Sequence, residues 1–108
     1  MNQWEIWTCA FPTAGSHPAL IISNPERVAN KPAINVLLCS SQRAGRPAGP
    51  TEILLDQADG LDWETLCKCD FLFAIEKSDL TQRRGLVCPE RRVQIVRRII
   101  ASMAWPQF

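Results

Sequence analysis

Short apolar runs separated by turn sequences occupy the first 88 residues of this 108-residue chain. Most runs are shorter than a typical helix, are rich in β-branched or aromatic residues, and end at proline, glycine, asparagine or serine. This pattern is typical of β-strands joined by turns. It predicts strands at residues 4–11, 19–23, 32–39, 51–55, 63–73 and 85–88. Residues 12–18 fit a turn, residues 43–50 an exposed loop, and residues 26–30 either one helical turn or an irregular loop.

A helical pattern appears only near the C-terminus. Pro89 suits the first position of a helix and Glu90 the positive helix end, and Pro106 is expected to stop the helix. The expected apolar stripe consists of Val93, Val96, Ile100 and Met103, widened by Ile95 and Ile99. Many short strands followed by one amphipathic helix predict a mainly β fold with a C-terminal α-helix, in which a strongly bent antiparallel sheet or small barrel is capped by that helix.

Composition narrows the class of protein. Hydrophobic residues make up 46% of the chain and charged residues 21%, which excludes disorder as the default state. A chain of this length has room for one core, so we predict a single domain spanning residues 1–108. No apolar run approaches the ~20 residues that a membrane helix needs, and the N-terminus does not resemble a signal peptide. We therefore expect a cytoplasmic protein without membrane contact.

Cysteine spacing argues against a metal site. The five cysteines lie in apolar segments, as reduced core thiols do, and the chain has one histidine. Cys67 and Cys69 are separated by one residue, whereas the common zinc sites use pairs separated by two or more. We expect no disulfide, no metal and no cofactor.

Positive charge is concentrated near the C-terminus, although the formal net charge is only +1. Between residues 82 and 98 a single acid, Glu90, stands among six arginines, which are Arg83, Arg84, Arg91, Arg92, Arg97 and Arg98. Such a patch attracts phosphates in some proteins and is merely a solvated surface in others. Charge alone leaves both interpretations open.

Lys68 and Asp70 stand two residues apart within an apolar, strand-like run. Side chains alternate between the two faces of a strand, so both should point to the same face. Because burying an unpaired charge is costly, this pair must face water, each other or a ligand. The alternatives are a salt-bridged edge and the floor of a binding site.

Several local sequences, in this order and spacing, resemble toxins of the MazF/PemK/Kid family from type II toxin–antitoxin systems. They are Glu5-Ile6-Trp7, Pro12-Thr13-Ala14-Gly15, Pro18-Ala19-Leu20-Ile21-Ile22-Ser23, Cys39-Ser40-Ser41-Gln42, Lys68-Cys69-Asp70, and Lys77-Ser78-Asp79-Leu80 followed by Gly85-Leu86-Val87 and a Pro-Glu helix start. The resemblance covers nearly the whole chain. It implies an SH3-like (PemK/CcdB-type) small barrel, a homodimer, and a sequence-selective endoribonuclease that cuts single-stranded RNA without metal and is neutralised by a cognate antitoxin.

The resemblance also assigns residues. His17 stands where the family has a phosphate-contacting arginine, and Ser40 stands at the active-site threonine, so the implied catalytic residues are His17, Ser40 and Asp70. The implied RNA-binding residues are Glu5, Ser41, Arg43, Arg46 and Lys68, with Arg43 and Arg46 able to supply the cation that His17 does not. A histidine titrates near neutral pH and an arginine does not, so this replacement is not conservative.

The replacement leaves other functions open. One alternative is a catalytically weak or silent homologue that acts by binding its antitoxin or a protein target, in the manner of the gyrase poison CcdB. Another is a nucleic-acid-binding regulator that uses the arginine patch, with operator DNA bound only in complex with the antitoxin.

Overall fold

Six β-strands form one antiparallel sheet in the computed structural model, which describes residues 1–40 and 46–105. They are β1 (Glu5–Phe11), β2 (Gly15–Ile21), β3 (Ala33–Cys39), β4 (Glu52–Leu55), β5 (Thr65–Glu76) and β6 (Leu80–Leu86). Their order across the sheet is β4-β5-β3-β2-β1-β6, so β4 and β6 form the two edges of an open, barrel-like sheet. Helix α1 (Pro25–Asn30) connects β2 to β3, and helix α2 (Pro89–Met103) follows β6. The predicted mainly β fold with a C-terminal helix is confirmed.

Each face of the sheet carries a buried apolar cluster. Helix α2 packs over β4 and β5 on one face, where Ile95 joins a cluster that includes Ile6, Leu37 and Cys67. The other face carries a second cluster, in which Val28 of α1 packs with residues such as Cys9, Ala19, Ile21, Val36 and Leu38. Successive residues along β1, β2 and β3 therefore alternate between two cores, which explains why these strands are nearly continuous apolar runs.

Helix α2 packs through a different face from the predicted one. Ile95 is fully buried, whereas Val93, Val96 and Ile100 are 52%, 42% and 52% exposed. Ile99 packs partly against the core. The predicted stripe was therefore wrong for Val93, Val96 and Ile100. The residues that pack against the sheet, Ile95 and Ile99, are those predicted only to widen the stripe. The helix ends at Met103, and its C-cap residue Ala104 has a left-handed backbone conformation with φ of 51°. Pro106, which was predicted to stop the helix, lies outside the described residues.

This packing gives a prediction for paired variants. Ile95→Ala should lower the free energy of unfolding by about 2–4 kcal/mol, because it removes a fully buried side chain and leaves a cavity. Ile100→Ala, the same change on the exposed side of α2, should stay within about 0.5 kcal/mol of wild type. Urea denaturation of both variants measures the difference. Equal losses would contradict the packing of α2 described above.

Two strands differ from prediction. Strand β2 begins at Gly15, so His17 lies in a strand and not in the predicted turn. The last strand is β6 (Leu80–Leu86), several residues earlier than the predicted strand at 85–88. Of the two alternatives for residues 26–30, the structure has the helix, whose N-cap is Asn24 with its side chain accepting a hydrogen bond from the Arg27 amide.

Strand β5 is irregular where it carries Lys68 and Asp70. Cys67 pairs with Cys39 and Leu72 with Leu37, so residues 68–71 of β5 stand opposite a single residue of β3. On its other side β5 remains paired with β4, with Lys68 opposite Glu52. Bulges of this kind bend a strand and redirect side chains, and they are frequent next to functional sites.

Neither helix in the described part of the chain has the length and apolar character needed to cross a membrane.

Candidate functional site

The predicted site residues lie on the sheet face opposite α2. Ile6, Ile53 and Cys67 belong to the cluster beneath α2, and side chains alternate along each strand. Their neighbours Glu5, Glu52 and Lys68 therefore point away from that helix. The same alternation places Asp70 and His17 on this face, since Cys69 and Leu20 are in the cluster beneath α2.

His17 is half-buried and has one ring nitrogen without a partner. Its Nε2 lies 2.7 Å from the carbonyl oxygen of Ala14. A carbonyl oxygen only accepts, so Nε2 must carry the proton, which leaves Nδ1 as a bare acceptor in the neutral ring. Nδ1 is buried and has no hydrogen-bond partner among the described residues, and the Phe11 ring packs nearby with 6.4 Å between ring centroids.

Ser40 lies at the same end of the β2–β3 ladder as His17. Ala19 pairs with Leu38, and two residues further along each strand are His17 and Ser40. The backbone of Ser40 is fixed by its amide, which donates to Leu66 oxygen at 2.9 Å, and by its carbonyl, which accepts from the Thr65 hydroxyl. The structure thus brings two of the three predicted catalytic residues to one end of two adjacent strands.

Lys68 and Asp70 share a face, as predicted, but no ion pair joins them among the described residues. The Lys68 ammonium lies 5.0 Å from the centroid of the exposed Phe71 ring. Asp70 is exposed to solvent. The salt-bridged-edge interpretation is therefore wrong, and both charges remain available to a ligand.

Arg46 is held by Glu52, which the sequence analysis did not single out. The guanidinium donates from Nη1 to Oε1 at 2.6 Å and from Nη2 to Oε2 at 2.8 Å, and Gly49 amide donates to Oε1 at 2.9 Å. The hydrogen bonds from Arg46 and Gly49, with a further contribution from Lys68, hold the pKa of Glu52 at about 2 even though burial opposes this shift. Glu52 therefore stays ionised in this pair at neutral pH, and the pair is lost only as the pH falls through about 2.

Glu5 forms a second buried carboxylate–arginine pair. Its oxygens accept from the Asn2 amide at 2.9 Å, from Trp7 Nε1 at 3.0 Å and from Arg83 Nε at 3.1 Å. Burial works to raise the pKa of Glu5, but these hydrogen bonds outweigh it and the pKa is lowered. Glu5 is also four residues along β1 from Cys9, the partner of His17, which is about 13 Å of strand. Glu5 therefore fixes Trp7 and Arg83, and this group of residues lies some distance from His17.

The arginine-rich segment is less cationic than its sequence indicates. Arg83 is paired with Glu5, Arg91 is paired with Asp56 and Asp59, and the Arg84 guanidinium lies 4.4 Å from the centroid of the Trp63 ring. Arg92 donates to Val87 oxygen at 2.8 Å. Most of these side chains serve the folded structure and do not form a free basic patch.

Two predicted RNA-binding residues, Ser41 and Arg43, lie outside the described residues. Glu52 and Arg83 were missed because their importance depends on partners from other parts of the chain. The one available signal was an acid in an apolar strand, which requires a cation nearby. In the part of the chain that the structure describes, no group of three or more His, Cys, Asp or Glu side chains is placed to bind a metal ion.

Residues 2–103 match the family described as the PemK-like, MazF-like toxin of type II toxin-antitoxin systems. The chain belongs to this family. No curated protein matches the sequence. This PemK/MazF-like toxin is also similar in fold to several solved structures.

One similar structure is an endoribonuclease in complex with its cognate antitoxin from a mycobacterial species, with a TM-score of 0.81, 19% identity, and coverage of 100% of this chain and 99% of that chain. A second is the Mycobacterium tuberculosis toxin MazF-mt6, with a TM-score of 0.79, 17% identity, and coverage of 95% and 99%. A third is MazE-MazF from Deinococcus radiodurans, with a TM-score of 0.74, 13% identity, and coverage of 98% and 97%. At these identities the similarity establishes the fold.

Proposed function

We propose that this PemK/MazF-like toxin is a metal-independent endoribonuclease that cleaves single-stranded RNA at selected sequences. The observation that carries the proposal is the placement of His17, with a bare ring nitrogen, at the same end of the β2–β3 ladder as Ser40. Lys68 and Asp70 project from the same face of the sheet, and Arg46 is paired with Glu52, which points to that face. Family membership over residues 2–103 supports the same reaction class.

In the proposed reaction the 2′-hydroxyl of the RNA attacks the adjacent phosphorus, the bond from phosphorus to the 5′-oxygen breaks, and a 5′-hydroxyl end and a cyclic phosphate are released. His17 Nδ1 accepts the proton of the 2′-hydroxyl as general base, and a solvent water donates a proton to the departing 5′-oxygen. Arg46, Lys68 and the Ser40 hydroxyl donate to the phosphate oxygens, where negative charge increases in the transition state. Asp70 orients the catalytic groups. Glu5 acts by holding Trp7 and Arg83, because its own oxygens are already occupied.

The proposed partners follow from the family. They are a cognate antitoxin that neutralises the toxin, single-stranded RNA, and a second copy of the chain in a homodimer. Operator DNA would be bound only by the complex with the antitoxin, as the resemblance implies; two of the six arginines of the C-terminal segment, Arg83 and Arg91, are ion-paired within the chain. We place the protein in the cytoplasm, as one toxin domain spanning residues 1–108 without a cofactor.

The test is cleavage of a mixed-sequence single-stranded RNA by the purified protein in EDTA. We expect cuts at a small set of related sequences, each leaving a 5′-hydroxyl end that can be phosphorylated by polynucleotide kinase without prior phosphatase treatment. DNA of the same sequence should remain intact, because it lacks the 2′-hydroxyl. Ser40→Ala is expected to slow cleavage at every site. Cleavage that requires added metal, or cuts in the DNA, would contradict the proposal.

A second candidate function is a catalytically silent toxin that only binds partners. The burial of His17 Nδ1 favours it, since a base must reach the proton that it abstracts. This candidate predicts that the wild-type protein leaves the RNA intact while forming a stable complex with its cognate antitoxin. Cleavage by the wild-type protein rules it out.

A further inference from the structure

A buried carboxylate fixes an exposed cation of the proposed RNA site, Arg46. We infer that Glu52 is a positioning residue that holds Arg46 in place to contact a phosphate of the RNA. This inference rests on the proposed function, because it assigns the ligand of Arg46 as RNA. It adds a residue that the resemblance does not supply, on the edge strand β4.

The first argument is geometric. The Arg46 side chain is 56% exposed, whereas that of Glu52 is 10% exposed. Two parallel hydrogen bonds fix the guanidinium plane, and Nη1 also donates to Pro47 oxygen at 3.2 Å. Glu52 is itself fixed by the Gly49 amide. A guanidinium has five N–H donors in its plane, and the bonds to Glu52 and Pro47 use three of them, so two donors remain for a phosphate oxygen.

The second argument concerns charge. Glu52 stands opposite Lys68 in the β4–β5 pairing, and Lys68 contributes to the low pKa of Glu52, so the Arg46–Glu52 pair has a second cation close by. Lys68 has no ion pair among the described residues, although Asp70 on the same face balances the net charge of these four groups. A phosphate that contacts Arg46 would therefore also be attracted by Lys68, and RNA phosphate is the anion that the proposed reaction brings.

The third argument is entropic. A free arginine side chain has many rotamers, and ordering it on binding reduces affinity. The carboxylate of Glu52 orders Arg46 before RNA arrives. By ordering Arg46, Glu52 should raise the affinity for RNA, whereas its negative charge should lower it. Because the two effects have opposite signs, an experiment can separate them.

The experiment measures binding of a 2′-O-methylated single-stranded RNA, which cannot be cleaved, over a series of salt concentrations. Arg46→Ala should weaken binding about fivefold near 0.1 M salt and lower the salt slope by about 0.7, as expected for the loss of one phosphate contact. Glu52→Gln should weaken binding about threefold to tenfold, although it removes a negative charge, because Arg46 then has to be ordered on binding. Glu64→Gln, the same change at an exposed acid, should cause no loss.

The decisive comparison is Glu52→Gln in the Arg46→Ala background. If Glu52 acts through Arg46, the substitution should now leave affinity unchanged or raise it, since only its negative charge is left to remove. Arg46→Lys, which keeps the charge but not the planar fork, should weaken binding as much as Glu52→Gln does and covers the case in which Glu52→Gln fails to fold.

Three results would overturn the inference. Equal losses on Glu52→Gln in both backgrounds would indicate a purely structural role, and gains in both would indicate that Glu52 merely repels RNA. Wild-type protein that does not bind the oligonucleotide would remove the ligand assigned to Arg46. Wild-type protein that binds this oligonucleotide but does not cleave unmodified RNA would refute the proposed enzymatic activity alone, and the binding comparison would still decide the role of Glu52.

Discussion

Replacing His17 with alanine is expected to slow RNA cleavage by about 10²–10⁴-fold, which is the contribution of a positioned general acid or base. The ring is fixed by the hydrogen bond from Nε2 to Ala14 oxygen, and this bond leaves Nδ1 without a proton in the neutral form. Nδ1 has no partner in the part of the chain that the structure describes, so accepting a proton from the 2′-hydroxyl breaks no hydrogen bond seen there. The measurement is the single-turnover cleavage rate at saturating protein.

His17→Gln separates this chemistry from packing. The glutamine amide can still donate to Ala14 oxygen, but it cannot accept a proton at neutral pH. We expect its melting temperature to be close to that of wild type and its cleavage rate to be as low as that of His17→Ala. A wild-type cleavage rate in His17→Gln would exclude His17 as the base.

The sequence predicted strands best where the apolar pattern was dense. Strands β1 and β3 were located closely because two cores require nearly continuous apolar runs there. Strand β4 was located closely because Ile53 and Leu55 are buried beneath α2. Strand β6 was placed too late because its residues include Gln82, Arg83 and Arg84, which read as a loop. It is an edge strand, and charged side chains on edges discourage pairing with other chains. The packed face of α2 was missed because apolar residues occur around more than half of the helix, and periodicity cannot say which side meets the sheet.

The position of His17 shows a second limit of predicting strands from sequence. Gly15 and Pro18 are turn residues by preference, so the segment around them was predicted as a turn. Pro18 is tolerated in β2 because pairing with β3 begins only at Ala19, and beyond that point β2 is bonded to β1 alone. Strand propensity carries no information about where a neighbouring strand stops.

The candidate site, too, could be predicted from the sequence only in part. Alternation along one strand correctly placed Lys68 and Asp70 on one face, because that rule needs only local sequence. The pairs of Arg46 with Glu52 and of Glu5 with Arg83 depend on a loop conformation and on a register between β1 and β6. The sequence contains these charges without indicating which of them meet.

Gly85→Ala is expected to lower the free energy of unfolding by about 3 kcal/mol, at the upper end of the usual cost of overpacking. A Cβ atom at this position would stand 2.2 Å from the backbone oxygen of Asp59 and 3.2 Å from the Leu61 side chain. The first contact is with backbone, so no side-chain rotation relieves it, and either β6 or the turn at Gln57–Asp59 must move.

That movement would also disturb the hydrogen bonds that Asp59 makes with other residues. The Asp59 carboxylate is buried and accepts from the Cys88 amide at 2.9 Å and the Asp56 amide at 3.0 Å, and it also pairs with Arg91. Displacing Asp59 therefore loosens the start of α2, and a buried carboxylate that loses its partners is strongly destabilising. Gly15→Ala is the matched control, because a Cβ atom at this position would meet no other atom. It should lower the free energy of unfolding by only about 1–2 kcal/mol, which is the cost of placing alanine at the positive φ of 80°. Urea denaturation should rank the two variants in this order, and a Gly85→Ala protein as stable as Gly15→Ala would show that β6 and the Asp59 turn are not in the close contact described.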